Sequence, residues 1–363
     1  MPSEPRILLV GTGVVGSALL EIVRGPLASR IRIAGVANSR GVVFAPPGEV
    51  DVRADDVAAL LARPRGATPA RIDDEVLERL AGESGVIVDA TAEDGITELY
   101  ERALARGIHV VTANKKPIAG AWSARERLFD PARRAGKAQL RYEATVGAAL
   151  PVISTLENLV RTGDRVKRID CVLSGTLAFL CNAIADGSTL SQAIAVARDR
   201  GYTEPDARED LGGADVARKA VILARELGAR LETSDVALEP FVPRDVLDAS
   251  SPATLERDVA KLDASFALNA ERLRRRNEKL VYLARIETDA DGRVTASAGP
   301  VAVPATHPAA QLQGSSALVA FSTARHTPEP LVVRGSGAGG AVTASALLAD
   351  IFSATGGGGP GAP

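Results

Sequence analysis

Near the start of the chain, Gly11, Gly13 and Gly16 stand in the spacing Gly-x-Gly-x-x-Gly. The apolar run Ile7-Leu8-Leu9-Val10 precedes them, and a stretch with helical periodicity follows to about Val23. A strand that turns sharply into a helix, with its backbone left bare at three positions, specifies the first crossover of a parallel sheet. The first glycine allows the tight turn, the second lets the backbone approach a pyrophosphate, and the third lets helix and strand pack closely. Unpaired N–H groups at the helix start, around Val14 and Val15, then offer a partial positive charge to phosphates. The competing reading is a turn that is only structural.

The pattern continues as expected for such a sheet. Short β-branched runs at residues 31–37, 86–90 and 108–112 read as strands, and residues 96–106 as a helix. Residues 52–62 and 73–80 read as surface helices in a proline-broken stretch. The character changes near Tyr142. A strand is expected over 140–146, a helix start at 147–151, and a strand over 166–173. Helices are expected over 177–185, 190–200 and 215–227. Strands return at 280–287, 293–303, 317–323 and 331–334, and a last helix covers 341–352. The fold class is therefore α/β: an N-terminal Rossmann-type, doubly wound parallel sheet followed by a second α+β domain.

Composition excludes several classes. The chain has 363 residues and a net charge of −2, with acids interspersed among its arginines, so it lacks the basic face of a nucleic-acid protein. No apolar run approaches the ~18 residues of a membrane span, and no leader pattern opens the chain. A cytoplasmic protein is expected, with Cys171 and Cys181 as buried free thiols. His109, His307 and His326 have no spacing for a metal or a triad, and they read as structural.

The strand ends carry the candidate cofactor contacts, because ligands of doubly wound sheets sit at the carboxyl ends of the strands. The second strand ends in Asn38-Ser39-Arg40, and no acid occurs from Ile31 to Ala45. An acid there would bind a ribose 2′-hydroxyl; Arg40 beside Ser39 suits a 2′-phosphate instead, which favours NADP(H) and leaves NAD(H) open. A solvated surface arginine is the plain alternative. Thr91 follows the next strand, and Lys115 and Lys116 follow the one after. A lysine there reaches a phosphate, a ribose or a substrate oxygen; alone, the pair reads equally as solvated.

A second constellation lies far downstream. Glu204-Pro205-Asp206 and Asp210 form an acidic cluster ahead of Asp215-Val216-Ala217-Arg218-Lys219. Asp215 and Lys219 are four apart and share a helix face. Ile222 and Leu223 continue that face, so the pair runs into an apolar stripe. A lysine partly buried beside a carboxylate marks a candidate site; an ordinary surface pair is the alternative.

Taken in order, these residues resemble the homoserine dehydrogenases. The shared elements are the glycine loop, Thr112-Ala113-Asn114-Lys115, Glu143-Ala144-Thr145-Val146-Gly147, Ser174-Gly175-Thr176-Leu177, Gly201-Tyr202-Thr203-Glu204-Pro205-Asp206, Asp215 to Lys219, and Gly337-Ala338-Gly339. The resemblance implies NAD(P)-dependent interconversion of L-homoserine and L-aspartate 4-semialdehyde. It implies Lys219 as general acid and base, Lys115 sharing the proton handling, and Asp215 orienting both lysine and substrate. Glu204 would hold the substrate amino group, with Asp210 and the backbone at Gly175 and Thr176 beside it. The carbonyls of Val146, Ala148 and Leu150, with Glu143, would hold a monovalent cation such as sodium. Gly337 would return to close over the nicotinamide.

The resemblance also implies three parts and a homodimer. Residues 1–142 with 335–355 form the dinucleotide-binding domain, and 152–286 the substrate domain. Residues 143–151 with 287–334 form a sheet that joins two subunits, and 356–363 a disordered tail. No room is expected for an aspartate kinase or an ACT domain. Ala149, Ala178 and Ala207 depart from the family's usual residues. Two rivals fit the same motifs: a dehydrogenase of another small amino acid or aldehyde, and a cofactor-binding sensor without turnover.

Overall fold

A computed structural model describes residues 4–64, 71–82, 84–203 and 206–356. The chain forms two units. The first takes the residues up to Ala149 and those from Ala338 onward; the second takes Leu150–Gly337. The expected tail, 357–363, lies outside the described residues.

The first unit is built on six strands: β1 (Arg6–Val10), β2 (Arg32–Asn38), β3 (Gly41–Phe44), β4 (Gly85–Asp89), β5 (His109–Thr112) and β6 (Leu140–Arg141). Their order is β3-β2-β1-β4-β5-β6, parallel except for β3. Helix α1 (Val14–Arg24) follows β1, and α2 (Ala54–Ala62) and α3 (Asp74–Leu80) follow β3. Helix α4 (Thr97–Leu104) follows β4, and α5 (Lys115–Ala119) and α6 (Trp122–Phe129) follow β5. The chain returns late to add helix Gly340–Thr355. Ile7, Leu9, Leu19, Val36, Val86, Val88, Leu347 and Ile351 share one core. Each such side chain contributes about 1.5–3 kcal/mol on burial. The order reverses between β1 and β4, which is where a doubly wound sheet opens its ligand crevice.

The second unit holds β7 (Val166–Val172), β8 (Ala237–Leu238), β9 (Glu278–Thr288), β10 (Val294–Pro304), β11 (Ser316–Thr323) and β12 (Leu331–Ser336). They are ordered β12-β11-β7-β9-β10-β8, antiparallel apart from the β10–β8 pair. Around them run α7 (Ile153–Arg161), α8 (Gly175–Ala185), α9 (Leu190–Asp199), α10 (Ala207–Gly212) and α11 (Ala214–Glu226). Among the described residues no helix is long and apolar enough to cross a membrane.

Several local expectations need correction. The strand expected over 140–146 stops at Arg141, and Glu143–Thr145 is a 3-10 turn. The Asp350 carboxylate accepts the Glu143 N–H at 2.9 Å, and the Thr145 hydroxyl donates to the Tyr142 carbonyl at 2.7 Å. These bonds take the backbone out of the ladder, so residues 143–151 contribute no strand. The helix expected to start at 147–151 begins at Ile153 instead. Gly147 and Ala148 hold φ of +82° and +57°, values no right-handed helix accepts. Strand β3 was not foreseen; Ser39 and Arg40 form a two-residue hairpin between β2 and β3. Helices Pro252–Ala260 and Asp263–Arg275 lie where the hydropathy pattern names no element.

Candidate active site

The glycine loop has the geometry its spacing predicts. A Cβ on Gly16 would lie 2.0 Å from the Gly11 carbonyl oxygen, so only glycine lets α1 start against the β1 turn. Gly11 has φ +96°, and a Cβ there would meet the Thr91 methyl at 2.7 Å. Around Gly13 nothing lies within 4 Å of such a Cβ. Gly13 is also the N-cap of α1 and has no side chain to cap it. The start of α1 therefore presents its amides to open space beside Val14, which is 78% exposed.

A cavity of about 640 Å³ opens at this point. Gly11, Thr12, Gly13, Asn38, Ser39, Arg40 and Thr91 line it. The Asn38 amide donates to Thr12 Oγ1 at 2.9 Å and its oxygen accepts the Arg40 N–H at 2.7 Å, which fixes the hairpin over the glycine loop. Arg40 Nε is buried and has no hydrogen-bond partner. The cavity does not include Lys115 or Lys116 in its wall. Lys115 opens α5, capped by the Asn114 side chain, and Lys116 Nζ pairs with the exposed Asp94 at 2.7 Å. Arg71 and Arg102 also line the cavity. Sequence reasoning missed both, because no motif ties those arginines to the glycine loop and the hairpin, about 30 to 90 positions away.

Beneath Thr91 lies Asp89, fully buried at the end of β4. Burial pushes its carboxyl above the usual carboxylate range, against hydrogen bonds from Tyr100 and Thr91. Burial, with Asp89 beside it, holds the Tyr100 phenol well above its ordinary value.

The second unit carries the lysine–carboxylate pair. Lys219 on α11 is 12% exposed at its side chain. Its Nζ donates to the Leu173 carbonyl at 2.6 Å and pairs with Asp215 Oδ2 at 2.8 Å; Asp215 is 47% exposed. The helix buries Val216, Ala220 and Leu223 against the sheet, so the ammonium is held at the edge of an apolar face. Gly213 caps α11 at φ +72°, and a Cβ on it would lie 2.0 Å from the Tyr282 hydroxyl. Tyr282 donates to the Glu239 carbonyl at 2.9 Å, and burial pushes its phenol up to about 12. Gly213, Tyr282 and the Leu173 carbonyl place Lys219, and none has a signal readable from sequence alone.

Helix α8 starts at Gly175, and Ser174 caps it by accepting the Leu177 N–H. The buried Thr176 hydroxyl sits between the Tyr202 carbonyl and Asp210 Oδ1, the latter 3.0 Å away. Asp210, Thr176 and Gly175 thus form one cluster in the second unit. Asp206 caps α10, and the Arg208 guanidinium holds its carboxyl below the usual range. Glu204 lies outside the described residues. Gly337 follows β12, where a Cβ would lie 2.2 Å from that of Ala317; close packing on β11 accounts for glycine at this position. Cys171 and Cys181 are free and buried. Among the described residues no cluster of three or more His, Cys, Asp or Glu side chains could hold a metal.

Comparison with known proteins covers both units. Residues 151–352 match the homoserine dehydrogenase family model, and residues 11–143 match the homoserine dehydrogenase NAD binding domain. A homoserine dehydrogenase of Emericella nidulans is 34% identical over 358 residues, covering 95% of this chain and 96% of its own. A bifunctional aspartokinase/homoserine dehydrogenase of Zea mays is 35% identical over 95% of this chain, which spans only 38% of that protein. A Candida auris protein of unknown function superposes with a TM-score of 0.85 at 29% identity, over 97% of this chain and 98% of that one. A hyperthermophilic archaeal homoserine dehydrogenase solved in complex with NADPH gives a TM-score of 0.69 at 26% identity, over 97% and 98%.

Proposed function

The chain belongs to the homoserine dehydrogenase family, and on that premise we propose that it interconverts L-homoserine and L-aspartate 4-semialdehyde with a nicotinamide cofactor. The observation that carries the reading is Lys219, a lysine withdrawn from solvent and pinned between a backbone carbonyl and Asp215.

The residues of the first unit fit a dinucleotide. The bare amides at the start of α1, the open space at Gly13 and the unpartnered Arg40 Nε are all features that an anionic ligand would satisfy. When bound, the reduced nicotinamide supplies the hydride for the aldehyde carbon. Lys219 supplies the proton to the oxygen that becomes the homoserine hydroxyl, and takes it back in the reverse direction. Asp215 and the Leu173 carbonyl together hold the ammonium in place. Glu204 receives the substrate amino group, and Asp210 with the backbone at Gly175 and Thr176 helps to bind the amino-acid end. Lys115 assists the proton handling.

Arg40 at the hairpin tip favours NADP(H) over NAD(H), since its free Nε suits a 2′-phosphate. The carbonyls of Val146, Ala148 and Leu150 with the Glu143 carboxylate would hold a monovalent cation such as sodium. All four donors are oxygens, and the positive φ at Gly147 and Ala148 turns the backbone away from helix bonding. The Leu150 carbonyl accepts the Val152 N–H at 2.8 Å and keeps one lone pair. The enzyme works as a homodimer through the sheet of its second unit, where Val332 is 39% exposed. Two free buried thiols suit a reducing compartment such as the cytoplasm.

The deciding experiment follows NADPH and NADH oxidation with aspartate 4-semialdehyde. Turnover is expected, with NADPH preferred and the preference lost in Arg40→Ala. Turnover with other small hydroxy acids or aldehydes but not with this pair would refute the assignment. A protein that binds NADPH and turns over nothing would make it a sensor.

A further inference from the structure

The proposed chemistry leaves one cluster of the first unit unused: a chain of buried polar groups under the cofactor cavity. Asp89 ends β4 in register with Thr112, which ends β5, and both are 0% exposed. Asp89 Oδ1 accepts the Thr91 N–H at 2.8 Å, and Oδ2 accepts the Tyr100 hydroxyl at 2.5 Å. The same hydroxyl lies 2.8 Å from Thr112 Oγ1, which accepts the Asn114 N–H at 2.8 Å. Asn114 extends the chain in two directions. Its amide donates to the Glu93 carbonyl at 2.9 Å, and its oxygen accepts the Lys116 N–H at 3.1 Å.

The chain therefore starts at Thr91 on the cavity wall and ends at the cap residue before Lys115. Two loops that leave different strands are tied through a third element, α4, which contributes Tyr100. Burying these groups costs desolvation that an apolar trio would avoid. Hydrogen bonds offset that cost only while both loops stay in place, because a buried donor or acceptor left unmatched is penalised in full. Such a network has one low-energy arrangement, and that arrangement sets where Thr91 and Lys115 begin.

We propose that Asp89, Tyr100 and Thr112 are positioning residues for the cofactor: they tie the loop 91–93, part of the cavity wall, to residues 113–114 ahead of α5, so that the crevice is formed before the cofactor enters. Affinity rises because less ordering remains to be done on binding.

The proposal rests on reading the cavity as the cofactor site. NADPH binding by the unaltered protein tests that reading separately. Three variants test the proposal: Tyr100→Phe and Thr112→Val each delete one hydroxyl, and Thr112→Ser keeps it. The first two are expected to raise the NADPH Kd about tenfold, the scale of one lost buried hydrogen bond, and Thr112→Ser by less than about threefold. In the cofactor-free protein, hydrogen exchange at the Thr91 and Asn114 amides should speed up about tenfold or more in the first two variants alone. KM for the aldehyde should stay unchanged. A folded Thr112→Val protein with wild-type NADPH affinity, or with both amides still protected, overturns the proposal. If Tyr100→Phe fails to fold, the Thr112 pair decides. If the unaltered protein binds no NADPH, the cofactor reading falls, and amide exchange still shows whether the chain holds the loops.

Discussion

Asp89 in the first sheet and Asp170 in the second are both buried, and their neighbours treat them in opposite ways. The donors around Asp89 are neutral: the Tyr100 hydroxyl, Thr91 through its N–H and side chain, and the Asn114 side chain. Burial dominates, and its carboxyl rises. Asp170 on β7 is equally withdrawn, yet Arg285 Nε donates to it at 2.7 Å from the neighbouring β9. His307 Nε2 lies 3.4 Å away, and Arg168 Nε, 3.0 Å away, adds charge without an aligned hydrogen bond. Burial works to raise this carboxyl too, but the bonds from His307 and Arg285 and the nearby guanidiniums outweigh it and leave it lowered. The groups packed against a buried acid, more than its depth, set the direction in which its titration shifts. The second sheet uses a charge to staple β7 to β9. The first keeps its acid among hydroxyls, under the cavity that opens at the glycine loop.

The largest test of the contrast between the units is Lys219→Ala. It should cut kcat by roughly 10²–10⁴, the usual worth of a positioned acid–base group, with the NADPH Kd unchanged. Steady-state rates and a binding titration check it, and an equal loss of cofactor affinity would break the division of labour. Asp170→Asn should come next. It leaves Arg285 beside a neutral amide and costs roughly 2–3 kcal/mol, below the ~3–5 of a fully buried pair because its cations keep solvent access. Urea midpoints measure it.

Gly213→Ala should cost about 1–3 kcal/mol, from a positive φ and the clash with Tyr282, and should lower kcat by moving α11. Adding Tyr282→Phe should recover part of that loss. Gly16→Ala has no such rescue, because the atom it meets is the Gly11 backbone oxygen.

The smallest effect separates the two aspartates by pH. A lowered folded value means that Asp170 stabilises above the unfolded carboxyl value of about 4 and loses this as pH falls through its folded value. A raised folded value means that the Asp89 contribution is whole below about 4 and is lost as pH climbs toward its folded value. Asp170→Asn should flatten the acid limb of the stability curve. Asp89→Asn should flatten the limb above it and shift stability at neutral pH by less than about 1 kcal/mol, read as urea midpoints across pH. The same limb flattening in both variants would show that the two sites are alike after all.

Where a candidate site was legible in the sequence, the signal was short in range. The glycine triple spans six positions, and the Asp215–Lys219 pair spans one helical turn. Each could be read because backbone and helix geometry fix such spacings without help from the rest of the chain. The strand expected past Arg141 failed for the opposite reason: Asp350, 207 positions away, takes the Glu143 N–H. Ala148 at φ +57° was likewise invisible, since alanine carries no local signal for that conformation.

By itself the sequence determined the parallel α/β start, the tight glycine turn from strand to helix and which helix face carries the lysine, all from periodicities of two and 3.6 residues and from the absence of side chains at three glycines. Tertiary structure decided the rest. It chose the Leu173 carbonyl as the acceptor that immobilises Lys219, brought Arg71 and Arg102 to the cavity wall, and shifted the titration of two buried aspartates in opposite directions. The reason is that solvation and charge are set by whatever atoms lie within a few ångströms, and those atoms come from distant parts of the chain.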